Sequence, residues 1–348
     1  MQSNRDKNND VRWPRLKGSP VLNSVRPVIE HSRDVQTNID KIVEIAGWMA
    51  YEELPMPDYA LPFGIGAGDV DEETIDFILT AACIDTAFTD FSSHIKFQAD
   101  YAGKSWSDSD ALFACMKRAI DNGIPILDGD FLATVTRREM EKLFAGNIEL
   151  PMLDAKTQLF NQVGPVLAQN YKGRFHNFVE SCSTKLYDNG NGLVERLVSE
   201  FPRFRDVSLY DGRTVKFYKL PQLSMWFLYT SLNKQGSEHR MKFRLDDLET
   251  MSAFADYIVP VALRLLGITS YSADLESAIN AYQMIPHDSP WEVEIRAHCI
   301  YASALLAEEI NRLRPIDRQI LIPQIDARLW THFHTTWWPH HLTQTIMY

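Results

Sequence analysis

Cysteine is scarce in this chain and nowhere clustered: Cys83, Cys115, Cys182 and Cys299 lie far apart and form no Cys-x-x-Cys. That spacing argues against a disulfide framework or a thiolate zinc site and for buried thiols of a cytosolic protein. No stretch approaches the ~20 uninterrupted apolar residues of a membrane span. The polar start, Asn4-Arg5-Asp6-Lys7-Asn8-Asn9-Asp10, lacks the apolar core of a signal peptide. A cytoplasmic protein without a membrane partner is expected. Positive charge is in deficit too, with a formal net charge of −11. Polyanions are held by clustered Lys and Arg, so no direct tRNA or DNA binding is expected, whereas a small nucleotide needs only a few local cations. Metal-binding histidine spacing is also missing. His332 and His334 stand two apart, which on a helix puts them on different faces, His340 and His341 adjoin, and no His-x-x-x-His with a supporting Glu occurs. Packing against Trp330, Trp337 and Trp338 is their expected use, with no metal and no cofactor. Gly64-Ile65-Gly66-Ala67-Gly68 has neither a strand before it nor a Lys-Ser/Thr after it, and reads as a connection.

What is present is apolar surface: 45% of the 348 residues are hydrophobic and 11% aromatic, enough for a sizeable core. The length exceeds the ~150 residues of one ordinary domain. The reading is a disordered extension over 1–18 and one large domain over 19–348, with room for two closely packed helical subdomains. Helical patterning dominates. Ile75, Ile78, Leu79 and Ala82 follow the acidic opening Asp69-Val70-Asp71 at helical spacing. Leu112, Cys115, Met116 and Ile120 lie between cap candidates at 108–110 and a stop at Gly123. Thr136-Arg137-Arg138-Glu139 fits a capping box, with Gly146 as its helix's stop. Further helices are expected at 154–171, 191–200, 220–233, 246–254, 257–266, 273–283, 291–312 and 323–334. Strands are few. Ile95, Phe97, Ala99 and Tyr101 alternate ahead of Gly103, and 207–210 and 214–218 flank Asp211-Gly212, a hairpin signal. The second arm would end at Lys219 and hold that lysine on a rigid edge. The fold class is mainly α, with a few short antiparallel strands.

The most informative segment is Phe254-Ala255-Asp256-Tyr257-Ile258-Val259-Pro260. Proline is tolerated in a helix's first turn, so Pro260 places a helix start beside Asp256. Unpaired amides and the positive dipole end there favour an ionised carboxylate. An N-cap is the plain use of such an aspartate. The flanking aromatics Phe254 and Tyr257 add surface that a base-and-sugar ligand could use.

That segment, read with Phe217-Tyr218-Lys219, resembles the queuosine salvage family, the queuosine 5′-phosphate N-glycosylases. The resemblance runs from about Pro20 to Tyr348 in collinear blocks. They include Gly123-Ile124-Pro125, Ala133-Thr134-Val135-Thr136, Phe201-Pro202-Arg203-Phe204-Arg205-Asp206-Val207, 211–222, Glu292-Val293-Glu294-Ile295-Arg296-Ala297 and Leu329-Trp330. It implies a helical fold similar to the helix-hairpin-helix DNA glycosylases. It also implies a catalytic pair, Asp256 and Lys219, that releases queuine from queuosine 5′-monophosphate. Two segments depart from the family. Ala87-Phe88-Thr89-Asp90-Phe91 stands where Asn-Phe-x-Phe-Trp is usual, and Ser107-Asp108-Ser109-Asp110 where Ser-Gly-Tyr-Trp is usual.

The chemistry so implied develops positive charge on ribose as the bond to the base lengthens, which a carboxylate stabilises. Asp256 is the candidate, and could equally orient or deprotonate the attacking water. Lys219 could lie at the sugar or bind the 5′-phosphate as a point charge. Phe254, Tyr257, Phe88, Asp90 and Phe91 are the candidate substrate contacts, Phe91 by stacking and Asp90 by accepting a hydrogen bond from the base. Glu292, Glu294 and Arg296 read as structural ion pairs at a helix start, and Arg205-Asp206 similarly. The altered 87–91 segment leaves two alternatives open: a catalytically silent nucleoside-binding protein, or an N-glycosidase acting on a different base.

Overall fold

Side-chain N-caps open six helices in the computed structural model, which describes residues 11–15, 18–57, 71–233 and 243–348. The chain begins with α1 (Pro20–His31), β1 (Val35–Thr37), α2 (Ile39–Met49) and α3 (Asp71–Ala82). A hairpin of β2 (Gln98–Tyr101) and β3 (Lys104–Ser107) leads into α4 (Asp108–Asp121), α5 (Gly129–Thr134), α6 (Arg137–Leu143), α7 (Leu153–Asn170), α8 (Phe175–Glu180) and α9 (Leu193–Glu200). A second hairpin, β4 (Val207–Tyr210) and β5 (Arg213–Lys216), precedes α10 (Lys219–Leu232). The remainder is α11 (Ile258–Leu265), β6 (Thr269–Tyr271), α12 (Ala273–Asn280), α13 (Pro290–Leu313) and α14 (Ile322–Phe333). Ser19 and Ser289 accept the first-turn amides of α1 and α13, each with proline next in the chain, where a missing N–H costs nothing. Thr136 and Glu139 close the expected capping box on α6.

The protein is mainly helical, and its strands form three antiparallel pairs among the described residues. The Asp-Gly hairpin is as expected: Asp211 and Gly212 both have positive φ, 47° and 75°, as a two-residue primed turn requires, and Tyr210 pairs with Arg213. β2 covers the later half of the expected 95–101 strand. Phe97 and Ala99 are buried and Ile95 is exposed.

Apolar side chains gather into two main clusters. The first takes one face of each helix from α3 to α10, and the second α1, α2, α11, α13 and α14 with the β4–β5 hairpin. Residues 251–255 run along the seam. Met251 and Phe254 enter the first cluster, Ala253 and Ala255 the second.

This segment corrects one expectation. A helix over 246–254 does not form; a short 3₁₀ turn at Leu248–Thr250 leads into extended chain. The Asp247 carboxylate accepts the amides of Leu186 and Tyr187, at 2.7 and 3.1 Å, and so anchors the segment to a distant loop. Helices α1, α2, α5 and α8 were not foreseen. Within the stretch read as an extension, residues 11–15 lie against α13: Trp13 stacks on Tyr301 at 5.4 Å and Arg12 pairs with Glu308 and Glu309. Residues 1–10 of that extension and the Gly64–Gly68 stretch lie outside the described residues. No described helix is long and apolar enough to cross a membrane. The four cysteines are free, three of them buried.

The tightest approach joins α5 to α7. A Cβ on Gly164 would stand 2.2 Å from the Ala133 amide nitrogen and 2.6 Å from the Gly129 carbonyl oxygen. Backbone cannot yield as a flexible side chain can. Gly164→Ala should therefore lose about 1–3 kcal/mol, read as a lower midpoint of thermal unfolding; an unchanged midpoint would show that the two helices can separate freely.

Candidate active site

The seam between the clusters is where polar chemistry collects. Asp256 is buried, and its Oδ1 accepts the amides of Ile258 at 2.8 Å and Val259 at 3.0 Å, so it caps α11 from just outside the helix. The helix start beside Pro260 is thus as expected, but the balance of forces on the carboxyl is different. Burial raises its pKa, outweighing the lowering by Lys219, the two amides and His340. A second carboxylate explains why the site is demanding. Asp326, on α14, is also buried and accepts the Phe254 amide at 2.8 Å. Burial, then the charge of Asp256, push its pKa well above the usual carboxylate range. The field of Lys219 reaches both aspartates and lowers the pKa of each.

Lys219 does not end a strand. β5 stops at Lys216, Tyr218 turns into the left-handed region at φ 47°, and Lys219 opens α10. Asp206 causes the diversion. Its carbonyl oxygen accepts the amides of Phe217 and Tyr218, and its Oδ2 accepts that of Lys219 at 3.2 Å. Asp206 is itself gripped by Arg296 of α13, with Nη1 to Oδ1 at 2.9 Å and Nη2 to Oδ2 at 2.6 Å. The same guanidinium donates to Glu292 at 3.4 Å and, through Nε, to the carbonyl oxygen of Ala255 at 3.0 Å. Its faces lie 3.9 Å from the Phe217 ring centre and 4.4 Å from that of Tyr348. Burial opposes the charge, but Asp206 and Glu292 raise the pKa overall. The structural reading of Glu292, Arg296 and Asp206 therefore holds, with Glu292 and Arg296 in the first turns of α13. Glu294 serves separately, accepting the amides of Arg33, Asp34 and Val35 and the Tyr210 hydroxyl.

The last residues cross the same region. His340 lies on the Tyr257 ring at 4.7 Å, and His341 Nε2 is 3.2 Å from the Tyr348 hydroxyl. The Thr86 hydroxyl reaches the carbonyl oxygens of both Thr345 and Tyr348. Tyr257 is held protonated by burial, then by Asp256, Asp108 and Asp85. The histidine packing expected with tryptophan appears at Trp330 and His334, stacked at 4.7 Å. Elsewhere, His287, Asp288 and Glu292 bring potential metal-ligand atoms within 4.8 Å of one another, but Glu292 is committed to Arg296.

Of the candidate residues, Asp256, Tyr257 and Lys219 converge. Phe254 is buried, its ring in the first cluster. Phe88 is buried and Phe91 half-buried on the neighbouring loop. Asp90 is locally engaged: its Oδ1 takes both the amides and the hydroxyls of Ser92 and Ser93, which hold the carboxyl well below its usual pKa and leave Oδ2 open. Sequence reading missed Asp326 and His340. The first had a signal, since Asp326 falls on the same face as Ile322, Ile325 and Leu329, where a carboxylate needs a reason.

Residues 67–348 match the model of a family described as queuosine salvage protein. Along most of its length the chain is similar to three curated proteins named queuosine 5′-phosphate N-glycosylase/hydrolase. It is 32% identical to that of Sphaerobacter thermophilus, covering 94% of this chain and 97% of the relative. For the Schizosaccharomyces pombe protein the identity is 28% over 90% of each, and for that of Bos taurus 27% over 82% and 83%.

The two carboxyls give a test. Asp326 holds its proton more tightly folded than unfolded, so its stabilisation is fullest below the unfolded pKa and is lost as pH rises through the folded one. Asp326→Asn keeps an acceptor for the Phe254 amide and never ionises. Its melting temperature, relative to the unsubstituted protein, should therefore climb as pH is raised from about 4. A difference that stays flat with pH would show that Asp326 keeps its charge throughout.

Proposed function

Because this chain belongs to the queuosine salvage protein family, we propose that it hydrolyses the N-glycosidic bond of queuosine 5′-phosphate, yielding queuine and ribose 5-phosphate. The observation that carries the reading is the convergence of Asp256 and Lys219 on one seam, in a chain collinear with its relatives. Water adds its oxygen to the anomeric carbon as the bond to the base breaks. One of its protons ends on the departing nitrogen and the other stays in the new hydroxyl. Queuine is a 7-deazapurine, so protonation at N7 cannot help it leave, and the weight falls on stabilising the ribosyl cation. Asp256, the carboxylate at the start of α11, does that work. Its two amide contacts fix one oxygen and leave the other for the sugar. Lys219 favours the ionised form of Asp256, opposing burial, and faces the sugar or its phosphate.

Tyr257, Phe88, Asp90 through its open oxygen, and Phe91 form the wall for the base, over a floor set by Phe254. We read the helical fold as similar to that of helix-hairpin-helix base-excision glycosylases, which also place a lysine and an aspartate at the sugar. The net charge of −11 favours the free nucleotide over intact tRNA and fits a cytoplasmic salvage role.

Incubating the purified chain with queuosine 5′-phosphate should release free queuine, much faster than from full-length tRNA. Binding without turnover would favour a silent binding protein, and release of a different base from a nucleotide panel would reassign the substrate. Asp256→Asn keeps the cap and loses the charge, so kcat should fall at least ~10²-fold with KM little moved and stability within about 1 kcal/mol. In the unsubstituted protein kcat should decline on acidification with a midpoint above the ordinary aspartate value of about 4. Intact turnover in a destabilised variant would reduce Asp256 to a helix cap.

A further inference from the structure

Two fully buried cations take no part in this chemistry, and both reach the same short stretch of main chain. Lys156, on α7, donates from Nζ to the Ala87 carbonyl oxygen at 3.0 Å and stands 5.0 Å from the centre of the Phe88 ring. Arg203, just before β4, donates from Nε to the Cys83 carbonyl oxygen. The exposures of Lys156 and Arg203 are 0% and 1%. Between the two carbonyls lie Asp85, which accepts the Ser109 hydroxyl at 2.9 Å, and Thr86, tied to Thr345 and Tyr348. Ala87 itself sits at φ 49°, a left-handed conformation that crowds its Cβ and that glycine alone adopts freely.

We propose that Lys156 and Arg203 are positioning residues for base recognition: by gripping the carbonyls of Ala87 and Cys83 they hold Ala87 left-handed and thereby set where Phe88, Asp90 and Phe91 face the base. The inference rests on the reading of 88–91 as a wall of the site. That loop lies beside it, since Asp85 and Asp108 act on the Tyr257 hydroxyl, and Lys96 and His94 act on His340.

Economy of burial argues for a role beyond filling space. An apolar side chain would occupy either position without the penalty of desolvating a cation. Lys156 forms no ion pair, and both terminal nitrogens of Arg203 lack a hydrogen-bond partner among the described residues. Burial, then the charge of Arg203, lower the Lys156 ammonium to about 7 against the field of Asp85. An amine near neutrality is cheaper to bury and still donates. Arg203 is lowered to about 10, with Cys83, Asp206 and Asp85 opposing burial. What each cation gives in return is one main-chain hydrogen bond, at either end of the turn that carries the altered 87–91 segment.

The test is Lys156→Met in the full chain, assayed with queuosine 5′-phosphate and guanosine 5′-phosphate. KM for the first should rise at least ~10-fold with kcat within ~3-fold, and discrimination between the two should narrow. Adding Ala87→Gly should bring KM back within ~3-fold of the native value, because glycine takes the left-handed conformation unaided. Lys156→Arg, which keeps a donor, should stay close to native, and it decides the matter if the methionine variant does not fold. A tenfold rise in KM in a folded arginine variant, or no rescue by glycine, would overturn the proposal. Amide hydrogen exchange is read in parallel on the free protein, where residues 86–91 should exchange faster in the methionine variant. Unchanged exchange there defeats the proposal whatever the kinetics. Faster exchange in a chain whose native form turns over neither nucleotide would instead defeat the assigned reaction and leave the grip on the loop standing.

Discussion

One guanidinium holds the geometry of this molecule. Arg296 reaches out of α13 into the buried interior and finds a bidentate carboxylate, a second carboxylate, a main-chain carbonyl and two aromatic faces. A buried ion pair is a poor source of stability unless its remaining donors and acceptors are satisfied. Here they are, and the return is registration. Through Asp206 the arginine fixes the point where the chain leaves β5 and opens α10 with Lys219. Through the Ala255 carbonyl it fixes the residue before Asp256. The two side chains assigned to the sugar are thus indexed to the same planar group, although 37 positions separate them in the chain.

The stretch from Met251 to Asp256 shows the same logic in the backbone. Its residues are buried and not helical, a state that ordinarily strands main-chain polar groups. Side chains step in. Gln222 takes the Ser252 amide, Asp326 that of Phe254, and Arg296 the Ala255 carbonyl. Each of these side chains comes from a different helix, so the segment is a junction between the two apolar clusters. Polar side chains that satisfy this backbone are then already inside the protein, beside the carboxylate proposed to stabilise the ribosyl cation.

How much of this was legible followed from the range of the forces involved. The Asp211-Gly212 turn, the Thr136 capping box and the helix opening near Pro260 depend on contacts within four residues, and the sequence carried them. The helix misassigned to 246–254 had a local pattern, but Asp247 is captured by amides sixty positions away. Lys219 was expected on a strand because the hairpin is strong; the carboxylate of Asp206 ends that strand early. The partnership of Asp256 with Asp326 joins α11 to α14 and left only a faint trace, a carboxylate on an apolar face. Lys156 and Arg203 left less, since nothing in a lone Lys or Arg announces that it will be sealed from water to hold a carbonyl.

The path of residues 340–348 ties three distant parts of the molecule together. His340 covers Tyr257, Tyr348 supplies one face for Arg296, and Thr86 is fastened to the carbonyl of Tyr348. One short stretch of chain thus supports an aromatic ring beside Asp256, one face of the Arg296 guanidinium and the loop that carries Thr86. Loosening any one of these contacts removes support from the other two, so the ring beside Asp256, the slot around Arg296 and the 83–88 stretch are coupled through residues 340–348.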